Sequence, residues 1–156
     1  MSIKPFNAME IVPGLWVGDM DDAASYFFIK EKAIDIIINC TTDISFIVGE
    51  LNLEKKRLSI EDDYKDNEKL LKNLEYLVDY IYRGINKNKN ILVHSKFGKQ
   101  RAPAVVVAYF IKYGKVDMNQ AIKYIRMKIP TAFSPGINFE YALNQFSKNM
   151  VKSMSS

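Results

Sequence analysis

One short segment in the second half of the chain has the composition of a phosphate-binding loop. It reads His94-Ser95-Lys96-Phe97-Gly98-Lys99-Gln100-Arg101, with an apolar strand leading into it and an apolar helix leading out. Successive backbone N–H groups of such a loop converge on an anion, and the helix N-terminus adds positive potential. The guanidinium of Arg101 can bind two phosphate oxygens at once. We therefore predict that this phosphate loop (residues 94–101) binds phosphate through Lys96, Phe97, Gly98, Lys99, Gln100 and Arg101.

The phosphate loop resembles the signature loop of the protein tyrosine phosphatases, in which five residues separate a His-Cys pair from an Arg. Ser95 stands where that family has its nucleophilic cysteine. The resemblance implies a thiolate that attacks phosphorus and forms a cysteinyl-phosphate intermediate. Loop amides, a helix N-terminus and a nearby Arg can ionise a thiol at neutral pH, but they cannot ionise an alcohol. We therefore predict that the chain binds phosphate esters and hydrolyses them poorly or not at all.

Further segments extend the resemblance over nearly the whole chain, to the small dual-specificity phosphatases of the VH1-like type. Residues 11–18 resemble their opening strands, residues 101–109 their helix after the loop, and residues 134–146 their closing segment. The resemblance implies hydrolysis of phosphotyrosine and of phosphoserine or phosphothreonine in proteins, without a metal or any other cofactor. Phosphorylated proteins are the partners that it predicts.

The same resemblance places a general acid in an acid loop (residues 58–63) upstream of position 95. An Asp there protonates the leaving oxygen and then activates water. Asp62 aligns with the acid of the family, and Asp63 is the alternative, because counting residues does not separate them. Without the phosphate loop downstream, both would be interpreted as solvated acids that cap the helix beginning near Asn67.

Two residues beside Ser95 are also part of the resemblance. His94 is the only histidine of the chain. Its implied role is to orient the loop through hydrogen bonds rather than to act as a base, and a merely buried histidine is the structural alternative. Ala102 departs from most of the family, which has Ser or Thr there to help the nucleophile leave. A parent enzyme with Ala102 is therefore expected to be slow.

Several functional alternatives stay open at this point. Ser95 is either an engineered, substrate-trapping substitution or the mark of a natural pseudophosphatase that binds phosphoproteins, and the presence of every other catalytic part favours the trap. Lys96 and Lys99 also resemble the loop lysines of tensin-like phosphoinositide phosphatases, since two ammonium groups favour a polyanionic headgroup. Because the rest of the chain resembles the protein-directed branch, we favour phosphoproteins over phosphoinositides.

Composition narrows the class of protein. The 156 residues, 48% of them hydrophobic, predict one globular domain over residues 1–156 with a disordered tail at 150–156. No apolar run is long enough to predict a transmembrane helix. A single cysteine, Cys40, predicts a reducing compartment, the cytoplasm or alternatively the nucleus. The net charge of +4 is too small to indicate binding of nucleic acid.

The order of the predicted elements indicates an α/β fold with a central, mostly parallel sheet flanked by helices. This is the protein tyrosine phosphatase-like architecture that the resemblance implies. Predicted strands lie at 10–19 (two, about a Pro-Gly turn), 34–40, 55–60 and 90–94, and predicted helices at 21–32, 67–86, 102–113, 118–129 and 135–148. The phosphate loop then lies at the C-terminal end of a strand, where open α/β sheets bind their ligands.

Overall fold

A five-stranded sheet runs through the centre of the molecule. The computed structural model describes residues 5–47 and 51–154. Its strands are β1 (Met9–Val12), β2 (Leu15–Gly18), β3 (Ile36–Asn39), β4 (Glu54–Arg57) and β5 (Ile91–His94). They lie in the order β1-β2-β5-β3-β4, with β1 antiparallel to β2 and every other pair parallel. The predicted fold, a mostly parallel sheet flanked by helices, is confirmed.

The helices flank this sheet. Those in the described residues are α1 (Met20–Ala23), α2 (Tyr26–Glu31), α3 (Asn67–Asn86), α4 (Arg101–Tyr113), α5 (Met118–Lys128) and α6 (Glu140–Met154). The bounds of α3 are those predicted from its apolar spacing, and its buried face includes Leu70, Leu74 and Ile81. None of these helices combines the length and the apolar character needed to cross a membrane.

Side chains of the central strands alternate between two apolar layers, as the period of a β-strand requires. Ile36 and Ile38 pack in the layer that includes α3, α4, α5 and α6. Ile37, between them, packs in the opposite layer with residues of α2. Both faces of the sheet are therefore covered by packed side chains, and the C-terminal edge of the sheet is where loops can form a site.

The prediction of one continuous first helix is wrong. The sequence predicts one helix over 21–32, whereas the chain forms α1 and α2 with a break at Ser25. Ser25 is extended, and its hydroxyl accepts a hydrogen bond from the amide of Phe28, which starts a new helix. α1 has a cap of its own, a reciprocal pair of hydrogen bonds between Asp19 and Asp22.

The last helix also differs from its predicted bounds. It begins at Glu140 rather than at Pro135, because the side chain of Gln100 holds the preceding backbone in a loop through Gly136 and Asn138. It continues to Met154, past its predicted end near Lys148. Residues 150–154 thus belong to the helix, Ser155 and Ser156 lie outside the described residues, and the disorder of the tail stays a prediction.

Smaller differences concern the fourth predicted strand, 55–60. β4 ends at Arg57, because its neighbour β3 ends at Asn39, directly opposite Arg57. The amide of Leu58 still donates to the carbonyl of Asn39, and the chain then leaves the sheet. Residues 48–50 of the segment before β4 lie outside the described residues.

Candidate active site

The phosphate loop occupies the middle of the C-terminal edge of the sheet. β5, the third strand in the sheet order, ends at His94, and α4 begins at Arg101. The N-terminus of this 13-residue helix therefore points its unpaired amides and the positive end of its dipole at the loop. The strand, loop and helix predicted from the sequence are thus present in the predicted order.

Backbone hydrogen bonds attach the phosphate loop to its surroundings on two sides. The carbonyl of Lys96 accepts from the amide of Met20 at 3.1 Å, on the side of β2. The carbonyl of Lys99 accepts from the amide of Phe133 at 2.9 Å, on the side of the loop before α6. Because carbonyls at both ends of the turn are bound outward, the loop is held in shape without a ligand.

Gly98 is required at the tightest point of the loop. Its φ of +70° lies in the left-handed region, where only glycine is free of strain. A Cβ added there would lie 2.8 Å from the carbonyl oxygen of Gly18, which is rigid backbone at the end of β2. The loop can therefore approach β2 this closely only with glycine at position 98.

Ser95 lies at the centre of the loop and is buried. Its hydroxyl oxygen accepts hydrogen bonds from the amides of Gly98, at 3.2 Å, and Ala102, at 3.4 Å. Two amide donors, one of them in the first turn of α4, would stabilise negative charge on this atom. A thiol at position 95 would be ionised by this environment, whereas an alcohol stays protonated there.

Most of the remaining loop amides are free to bind an anion. Within the described residues, no backbone or side-chain acceptor receives the amides of Lys96, Phe97, Lys99, Gln100 or Arg101. Amides without a protein acceptor are available to water or to a bound ligand. A tetrahedral oxyanion can supply acceptors to several converging donors at once, which is the chemistry predicted for the loop.

Arg101 faces the same space with an unsatisfied donor. Its side chain is 6% exposed, and one terminal nitrogen, Nη1, donates to the carbonyl of Ile60 at 3.1 Å. Its Nε is buried and finds no acceptor among the described residues. A buried N–H without an acceptor costs roughly 1–3 kcal/mol. Bidentate binding of an anion along the Nε–Nη2 edge would remove that cost.

His94 is buried against the loop backbone and is neutral at physiological pH. Its Nδ1 lies 3.4 Å from the carbonyl oxygen of Ser95. Burial, together with the nearby positive charges of Arg57 and Arg101, lowers the pKa of His94 to about 4. The ring is thus placed to support the loop, and the Ser95 hydroxyl binds amides instead of this imidazole.

The structure separates the two candidate acids. Asp62 is exposed, and its carboxylate accepts from the side-chain amide of Asn138 at 2.8 Å. The backbone amide of Asn138 in turn donates to the side chain of Gln100 at 3.1 Å, so Asp62 is connected to the phosphate loop. Asp63 instead accepts from the amide of Lys65 and caps the 3₁₀ turn at Tyr64–Asp66.

Two contributors to the site could not be identified from the sequence pattern. The side chain of Gln100 bridges to the carbonyl of Gly136 and the amide of Asn138, and the carbonyl of Ile60 positions Arg101. Both interactions join segments far apart in the chain and depend on side-chain direction. The only local signal is Asn138 itself, which belongs to the closing segment of the resemblance.

Cys40 does not supply a reactive thiol to the site. It is fully buried beside β5, where its amide donates to the carbonyl of His94 at 2.8 Å. Burial raises the pKa of its thiol to about 12, so the thiol stays protonated. Among the described residues, no group of three or more His, Cys, Asp or Glu side chains is arranged to hold a metal ion.

Comparison with known proteins identifies relatives over most of the chain. A family model described as dual specificity phosphatase, catalytic domain, matches residues 15–149. The chain is 28% identical over 150 residues to dual specificity protein phosphatase 6 of Homo sapiens, a match covering 94% of this chain and 38% of that protein. The chain thus spans well under half the length of this curated relative.

Solved structures share the fold at lower sequence identity. A mouse putative dual specificity phosphatase, complexed with zinc tungstate, is similar with a TM-score of 0.89 at 19% identity, over 99% of this chain and 94% of that chain. PTPMT1 in complex with PI(5)P is similar with a TM-score of 0.76, also at 19% identity, over 94% of this chain and 98% of that chain. At these identities the likeness shows the fold alone.

Proposed function

The chain belongs to the dual specificity phosphatase catalytic domain family, and from that premise we propose that it binds phosphotyrosine and phosphoserine or phosphothreonine of proteins in its phosphate loop. Ser95 at the nucleophile position keeps the bound ester intact, so this form traps substrate. The same domain with cysteine at position 95 is a dual-specificity protein phosphatase that acts through a cysteinyl-phosphate intermediate. Phosphorylated proteins are therefore its partners.

The observation that carries the proposal is the set of unsatisfied donors around the loop. Five loop amides and the buried Nε of Arg101 have no acceptor among the described residues. A phosphate monoester offers three nonbridging oxygens to such donors, and a dianion gains from the α4 dipole as well. The mouse relative is complexed with zinc tungstate, and tungstate is a tetrahedral oxyanion of the same kind.

Each member of the site takes a role in the reaction of the Ser95→Cys variant. The thiolate would be stabilised by the amides of Gly98 and Ala102, which already bind the Ser95 hydroxyl. Arg101 and the loop amides hold the equatorial oxygens during transfer. Asp62 protonates the leaving oxygen, while Asp63 acts as a cap. In the Ser95 form only the nucleophile is missing, so ground-state binding persists without turnover.

Phosphoinositides are the second class of substrate to test. One solved relative is PTPMT1 in complex with PI(5)P, and Lys96 and Lys99 are exposed at the rim of the phosphate loop. The curated relative with the higher identity is named a protein phosphatase. We therefore propose phosphoproteins as the substrate, and soluble inositol phosphate headgroups serve as the comparison.

Restoring the nucleophile tests the proposal. We expect the Ser95→Cys variant to hydrolyse an aryl phosphate and phosphotyrosine and phosphothreonine peptides at least about 1,000-fold faster than the unchanged protein. A matched Ser95→Cys, Arg101→Met double variant should lose that activity, which excludes a contaminating phosphatase. Headgroups should be poorer substrates than the peptides.

Two outcomes would contradict parts of this proposal. A silent Ser95→Cys variant, together with phosphopeptide binding by the unchanged protein, would make the chain a binding module of the pseudophosphatase kind. Faster hydrolysis of headgroups than of phosphopeptides would replace the protein substrate by a phosphoinositide.

A further inference from the structure

Two open depressions lie near the phosphate loop: loop residues line one of them, and Asn138, whose backbone amide donates to Gln100 of the loop, lines the other. The sheet order explains their placement, because β2 lies on one side of β5 while β3 and β4, which lead to the acid loop, lie on the other. One depression is next to the end of β2, and the other is next to the acid loop.

The depression next to β2 has a basic rim, which we term the basic flank. It is a cavity of about 340 Å³ whose lining includes Phe97 and Lys99 of the loop and Lys128 at the end of α5. Both lysines are exposed, and neither forms an ion pair with a described residue. Their full charge is therefore available to a bound ligand.

Two carboxylates also line this cavity, and both accept hydrogen bonds from the protein. Asp19 accepts from the amide of Asp22 and from the side chain of Asn7. Asp22 is buried and accepts from the amides of Asp19 and Asn7. These donors are neutral and leave the carboxylate charges in place, but Asp22 is buried and Asp19 is half-buried, so the exposed charges of this flank are those of the two lysines.

The depression next to the acid loop has the opposite charge, and we term it the acidic flank. This groove of about 500 Å³ is lined by the exposed rings of Tyr64 and Tyr141 and by Glu68 and Glu140. Residues 61–68 contain five carboxylates and a single cation, Lys65. The hydrogen bonds that these carboxylates accept come from neutral donors, and none of them forms an ion pair with a described residue.

Each flank is connected to the phosphate loop by a shared or bonded residue. Lys99 belongs both to the loop and to the lining of the basic flank. Asn138 lines the acidic flank, and its backbone amide donates to the side chain of Gln100 in the loop. The two flanks and the loop that carries Arg101, with its unpaired Nε, therefore form one connected surface.

We propose that this surface selects phosphopeptides of one charge polarity, an inference that rests on the proposed function of the phosphate loop. Acidic side chains on one side of the phosphorylated residue lie at Lys99 and Lys128. Cationic side chains on its other side lie at Glu68 and Glu140, where the rings of Tyr64 and Tyr141 add cation–π attraction. A phosphoprotein partner therefore has acidic residues on one side of the phosphorylated residue and basic residues on the other. Residues of the same charge on both sides would not fit.

Three phosphotyrosine peptides test this inference on the unchanged Ser95 protein. One is acidic before and basic after the phosphotyrosine, the second is its reversed twin, and the third has neutral flanks. We expect one twin to bind about 3- to 10-fold more tightly than the other at low ionic strength, and the difference to shrink with added salt. Titration calorimetry measures all three dissociation constants.

Charge-reversed variants identify the residues responsible. The Lys128→Glu, Glu140→Lys double variant should invert the preference between the two twins, and Lys148→Glu, on an exposed turn farther along α6, should leave it unchanged. Thermal unfolding verifies that each variant is folded. Equal binding of the twins, or a preference that the double variant does not invert, overturns the inference. Failure of all three peptides to bind would instead overturn the proposed function.

Discussion

The phosphate loop and the acid loop are joined by the hydrogen bond from Arg101 to Ile60 but are held very differently. Ser95, Gly98, Gln100 and Arg101 are buried, and the loop is bound to three other segments, at Met20, at Phe133 and at residues 136–138. Asp62 is exposed and accepts one hydrogen bond from the described residues, from the side chain of Asn138. From this contrast we expect preorganised donors for an anion in the phosphate loop, and a proposed acid, Asp62, that can approach and leave a substrate.

The largest effect should come from the exposed loop and should be confined to turnover. In the Ser95→Cys background, we expect Asp62→Asn to lower kcat for a phosphotyrosine peptide about 100- to 1,000-fold, because the leaving oxygen loses its proton donor. Asp63→Asn is the matched control and should change kcat less than about 10-fold, since Asp63 caps a turn. Steady-state kinetics compares the two.

The reverse ranking of these two variants would assign the acid to Asp63. A loss of phosphopeptide binding in the Asp62→Asn variant would contradict the division of labour between the loops. In that case the acid loop would contribute to ground-state binding as well.

The buried phosphate loop predicts that the stability of the protein changes with pH through His94. Burial lowers its pKa from an ordinary 6.5 to about 4, so protonation favours the unfolded chain. The contribution of neutral His94 to the free energy of unfolding is fully present above pH 6.5 and is lost as the pH falls towards 4. We expect a loss of about 3 kcal/mol from this group.

Urea unfolding of the unchanged protein and of a His94→Asn variant, at about pH 7 and about pH 4, measures the loss of stability caused by His94. The variant should lose less stability between the two pH values, because it has no imidazole to protonate. Identical losses in the two proteins would show that His94 is protonated without cost and is not the buried, neutral group described above.

A smaller effect tests how closely the phosphate loop is packed against β2. Gly98→Ala should lower the free energy of unfolding by about 2 kcal/mol, because the new methyl group would meet the Gly18 carbonyl at a positive φ. Gly136→Ala is the matched control. No atom lies within 4 Å of a Cβ there, and we expect a change within about 0.5 kcal/mol.

Thermal or denaturant unfolding compares the two glycine variants directly. Equal stability of both would mean that the loop adjusts at little cost. The preorganisation ascribed to it would then be wrong.

Local sequence patterns predicted the regular elements of the fold well. The bounds of α3, α4 and α5 were predicted to within one residue, because the apolar spacing of α3, the reciprocal Asp117–Gln120 cap of α5 and Gly114 after α4 are all local features of the chain. The split of the first helix and the late start of α6 were missed. The start of α6 depends on a contact with Gln100, which is distant in sequence.

The candidate site divides in the same way. The segment of the phosphate loop was predicted because its residues are consecutive, but the choice between Asp62 and Asp63 depends on Asn138, distant in sequence. The roles of the site residues, the single-domain organisation and the cytoplasmic location stay predictions.

The central claim is that the Ser95 protein binds phosphate esters without turning them over, and titration calorimetry tests it most directly. We expect a phosphotyrosine peptide to bind the unchanged protein and to be recovered intact, while its unphosphorylated twin does not bind. Arg101→Met should weaken binding by about 100-fold, and Arg83→Met, an exposed arginine at the opposite end of the sheet, should not. Equal affinity for both peptides, or binding that does not depend on Arg101, would contradict the account.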